Sequence, residues 1–86
     1  MTTFQKQIKQ ELLNSNDIFI NPEDIKVKKN GTIEVRQSYF YTHGRTAQKW
    51  ANRITEYLTT PATVTGRDDW AAWPKTSYFV AIINPK

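Results

Sequence analysis

The residues able to do chemistry are few in this sequence. There is one histidine, His43, beside Gly44, and no cysteine. Acid–base or nucleophilic catalysis needs a base with an orienting partner at fixed geometry, and no second group stands at a telling distance from His43. Asp68-Asp69 could hold a metal with His43 as third ligand, but adjacent acids are more often turn and capping residues. With three glycines in the chain, neither a P-loop nor G-x-G-x-x-G is present. A non-enzymatic binding module without cofactor or metal is expected.

Three groups of residues suit binding. Arg45, Lys49 and Arg53 recur at i, i+4 and i+8, so one face of a helix would carry a line of cations able to follow a phosphate backbone. A solvated helix face explains the same line. Arg36 and Phe40 share the strand face opposite the helices and could form a stacking platform; a covered Phe40 is the structural alternative. Arg67, Trp70 and Lys75, with Trp73, mix aromatic and basic groups as single-strand binders do, although Trp73-Pro74 could equally pin a loop to the core.

These residues point to nucleic acid or another polyanion. The competing class is a protein-binding adaptor or inhibitor that docks on an acidic protein surface and occludes a partner complex, of the kind phages and mobile elements carry. Arg36, Tyr39, Tyr41 and Trp70 belong to the types enriched at binding hot spots. A homodimer through a sheet edge or aromatic patch would use the same groups.

Composition bounds the rest. Eighty-six residues suffice for one small domain, and 38% hydrophobic with 13% aromatic residues is enough to build a core. The net charge is +4, with six basic and five acidic residues in 1–43 against six and three in 44–86. Such a balance favours polyanionic partners. Without cysteine, stability must come from packing. No stretch approaches the roughly 20 apolar residues that span a bilayer, so a cytoplasmic protein without membrane contact is expected.

The elements that must position the binding residues follow from pattern. Phe4, Ile8 and Leu12 predict a helix over about 4–13, with Thr2 and Gln5 as a capping box and Asn14 to Asp17 as its stop. Ile18-Phe19-Ile20 reads as an apolar connector plugged into the core. Asn30-Gly31 predicts a hairpin within about 25–42. A two-residue loop would set Val27 against Glu34. A three-residue loop over 29–31, with Gly31 left-handed, pairs Val27 with Ile33, Lys26 with Glu34 and Ile25 with Val35, and is the expected register. It puts Ile33 and Val35 toward the helices and Arg36 on the other side.

A second helix is expected over about 45–58, buried through Ala47, Trp50, Ala51, Ile54 and Leu58 and ended by Pro61. Strands follow over about 62–66 and 77–83, the latter apolar enough to be central and covered on both faces. Residues 67–76 lack periodicity and read as a loop. The order α-β-β-α-β-β gives an α+β two-layer sandwich in which two helices cover one face of a four-stranded, mainly antiparallel sheet.

Overall fold

In the computed structural model residues 1–37, 46–71 and 76–86 are described; Phe40, Arg45 and Lys75, with Tyr39, Tyr41, His43 and Trp73, lie outside them. The elements are helix α1 (Thr3–Asn14), a 3₁₀ turn (Pro22–Asp24), strands β1 (Ile25–Val27) and β2 (Ile33–Arg36), helix α2 (Ala47–Glu56), and strands β3 (Ala62–Ala71) and β4 (Thr76–Pro85). The strands form one antiparallel sheet in the order β1-β2-β4-β3. This is the expected α+β arrangement.

The β1–β2 register is the expected one: Ile25↔Val35, Lys26↔Glu34 and Val27↔Ile33. Gly31 makes it reachable, because its φ of 92° is a conformation that side chains with a Cβ rarely adopt. The loop is held from outside as well. Thr2 and Gln5 form the capping box of α1, and the buried Gln5 turns its amide to donate to the carbonyls of Lys28 (2.7 Å) and Thr32 (3.3 Å). One glutamine thus caps a helix and fastens that helix to the hairpin.

Alternation divides the sheet into two faces. Ile25, Ile33, Val35, Phe79, Ala81 and Ile83 point to the helix layer and pack with Ile8 and Leu12 of α1 and Trp50 and Ile54 of α2. Each fully buried aliphatic side chain contributes roughly 1.5–3 kcal/mol. The Trp50 indole N–H donates to the Val35 carbonyl at 3.0 Å, which satisfies its one polar atom inside the core. Beneath α2, a Cβ built on Gly66 would come within 2.3 Å of the Ala47 carbonyl oxygen. Only glycine lets the helix backbone approach β3 so closely.

Three expectations change. Residues 67–71 are not a loop: β3 continues through Ala71, paired with β4 in one unbroken register. Arg67, Asp68 and Asp69 disguise the strand, because this is an edge strand whose outer stretch buries neither face and so lacks apolar alternation. β4 is central, but the helices cover one face only, and Val80 on the other is buried under neighbouring side chains. Of the connector, Ile20 is buried and Phe19 packs against the core, whereas Ile18 is 78% exposed.

A candidate interaction face on the open side of the sheet

The sheet face turned away from the helices carries Lys26 of β1, Glu34 and Arg36 of β2, Tyr78 and Val80 of β4, and Arg67 and Asp69 of β3. Cross-strand pairing brings them together: Lys26 stands opposite Glu34, Arg36 opposite Val80, Arg67 opposite Val80 on the other side, and Asp69 opposite Tyr78. With Asp24 and Lys28 they line a shallow groove of about 340 Å³ floored by Val80.

Its charges are interleaved. Glu34 lies between Lys28 Nζ (3.8 Å) and Arg67 Nη2 (3.7 Å), and the same Arg67 nitrogen reaches Asp69 Oδ2 at 3.2 Å. Across the groove Arg36 Nε is 3.5 Å from Asp24 Oδ1, while its guanidinium carbon sits 5.0 Å from the centroid of the Tyr78 ring. Four cations and three carboxylates therefore share one surface. The Asp69 carboxyl is held below its ordinary value, first by the Trp70 N–H that donates to it at 2.8 Å and then by Arg67. The two arginine side chains remain 41% and 46% exposed against 12% and 22% for their partners Asp24 and Glu34, so solvent screens the arginine end of each pair and each is worth about 0–1 kcal/mol.

The residues singled out from the sequence scatter around this face. Arg36 and Arg67 are brought together on it. Trp70 is 58% exposed, on β3 but on the helix side of the sheet. Lys49 is exposed on α2, in the other layer. Arg53 is engaged within the fold. Its Nε and Nη2 donate to Asp17 at 2.5 and 2.9 Å, and its guanidinium carbon lies 4.7 Å from the Phe19 ring centroid. Asp17 also accepts from the Tyr57 hydroxyl and the Phe19 N–H. Burial opposes its ionisation, yet these donors, Arg53 foremost, outweigh burial and hold the carboxyl below its usual value. Asp68 and Asp69, adjacent on a strand, project to opposite faces and do not converge on one ion. Among the described residues no group of three acids or histidines stands close enough to hold a metal.

Sequence reasoning missed Asp24, Lys26, Lys28, Glu34 and Tyr78. The hairpin register already set Lys26 against Glu34. Tyr78 was hidden in an apolar run, although its alternation with Phe79 and Ala81 assigns it to the Arg36 side.

The fold and face thus define a small α+β domain whose sheet carries, among the described residues, a charge-mosaic surface on the side opposite the helices. Comparison with protein-family models, curated proteins and solved structures finds no match for the chain. No helix among the described residues is long and apolar enough to cross a membrane.

Proposed function

We propose that the chain is a non-enzymatic, intracellular binding module that docks its open sheet face onto another protein, acting as an adaptor or an inhibitor that occludes the surface it covers. The observation that carries this reading is the interleaving of three carboxylates with the four cations. A nucleic-acid backbone presents charge of one sign. It would have to displace Glu34 and Asp69 from Arg67, and Asp24 from Arg36, and then lie against the carboxylates it displaced. A protein surface of mixed charge can re-pair both signs in register. The Arg36–Tyr78 stack at the groove supplies the Arg and Tyr that typically dominate binding energy.

The test is capture from cell extract with wild type, Tyr78→Ala and Lys49→Glu in parallel. The proposal expects one protein that is retained by wild type and Lys49→Glu and lost with Tyr78→Ala. Fluorescence anisotropy with labelled single- and double-stranded DNA and RNA at roughly 50 and 200 mM salt serves as the counter-test. Micromolar binding that weakens steeply with salt, and is reduced by Arg36→Glu, would replace this reading with nucleic-acid recognition.

A further inference from the structure

The sheet ends in two unlike edges. β1 spans three residues and starts directly from the 3₁₀ turn. β3 spans ten, keeps register with β4 from Ala62↔Pro85 to Ala71↔Thr76 without a bulge, and has no strand on its outer side among the described residues. Long, regular edges of this kind are templates for strand addition.

The ladder reveals which backbone groups β3 offers. Gln37 N–H donates to the Phe79 carbonyl at 2.8 Å, so Phe79 turns its polar backbone groups toward β2. In an antiparallel sheet the neighbours on a central strand then turn theirs the other way. Tyr78 and Val80 therefore bond to β3 through Asp69 and Arg67. Val64, Gly66, Asp68 and Trp70 are left with outward N–H and carbonyl groups. Trp70 bears this out, since its N–H is taken by the Asp69 carboxylate.

We propose that β3 pairs with β3 of a second copy of this chain, antiparallel about a two-fold axis at Asp68, so that one sheet runs through both protomers. The case is self-complementarity. In this register Arg67 faces Asp69 of the second copy, and Asp69 faces its Arg67. Both fall in the non-hydrogen-bonded pairs where opposed side chains approach most closely. Gly66 faces Trp70 of the second copy, so the exposed indole comes against the start of α2, whose Ala47 backbone lies over Gly66. The Trp70 N–H exchanges its bond to Asp69 for the Gly66 carbonyl of the second copy. The opposing term is Asp68 against its own copy, two carboxylates that are both exposed to water. An interface confined to one strand is small, so the dimer is weak and concentration-dependent. It does not depend on the open-face reading.

Sedimentation equilibrium from about 10 µM to about 1 mM, on wild type, Asp68→Pro and Asp68→Asn, tests it. Wild type should pass from monomer to dimer. Asp68→Pro deletes an outward N–H without touching the β3–β4 ladder, so it should remain monomeric with an unchanged circular dichroism spectrum. Asp68→Asn removes the one like-charged pair and should tighten the dimer about 1.5- to 5-fold. A wild type that stays monomeric throughout, or a folded Asp68→Pro that dimerises as wild type does, overturns the proposal. Weaker association of Asp68→Asn overturns the register, and that variant decides the matter even if the proline variant does not fold.

Discussion

Arg53 with Asp17 on the helix layer and Arg36 with Asp24 on the open face are built from the same residue types and do opposite work. The Asp17 side chain is 1% exposed and accepts four hydrogen bonds from three residues. It ties the segment after α1 to the C-terminal half of α2. The Arg36 pair is longer and sits at a half-exposed guanidinium, with Tyr78 against Arg36 and the Asn21 amide donating to Asp24. A charge that is surrounded by its donors is committed to the fold; a guanidinium held at 3.5 Å and 41% exposed retains donors for a partner. The difference lies in geometry and cannot be read from residue type.

Breaking the buried pair should have the largest effect. Asp17→Ala leaves Arg53 and Tyr57 without their acceptor and should cost about 3 kcal/mol, visible as a melting temperature lower by more than about 10 °C. A loss under about 1 kcal/mol would mean that the two arginines differ less than the geometry implies. Gly66→Ala drives a methyl into the Ala47 carbonyl and forces α2 off the sheet, at a cost of about 1–3 kcal/mol in chemical denaturation. Gly31→Val places a β-branched residue at φ 92° and should cost about 1–2 kcal/mol. Unchanged denaturation of that variant would refute the three-residue loop.

The pH dependence sharpens the same contrast. Asp17 and Glu11 are both held below their ordinary carboxyl values. At Glu11 burial works against ionisation, while the hydroxyls and N–H groups of Thr59 and Thr60 more than offset it. A depressed folded pKa means that the unfolded chain binds protons more readily. The stabilisation is complete above the unfolded values, about 4, and is lost as pH falls below them. Stability measured from pH 7 to pH 2 should be flat above about 5 and fall below about 4. Asp17→Asn should shrink that fall. The smallest effect belongs to the open face: Glu34→Gln should change stability by less than about 1 kcal/mol while altering partner binding.

How much of this was legible in the sequence depended on whether neighbours along the chain set the outcome. The hairpin register, the capping box and the helix-layer core follow from local spacing, because alternation and 3.6-residue periodicity fix which side chains share a face. The outer half of β3 did not, since Arg67, Asp68 and Asp69 on an edge strand carry no apolar alternation, and only pairing with β4 holds them extended. Arg53 illustrates the same limit. Its place in a cationic line was visible, whereas its carboxylate lies 36 residues away in sequence. Of the proposed site, Arg36 and Arg67 were found; the carboxylates between them were not, because their proximity arises from strand order.

The central claim, that the open sheet face meets a protein, is tested most directly by a photo-crosslinking residue placed at Lys26 on that face and, in a second variant, at Lys49 on the helix layer, each irradiated in living cells. The account predicts a single protein adduct from position 26 and none from position 49. Nucleic-acid adducts, or protein adducts from position 49 alone, would contradict it.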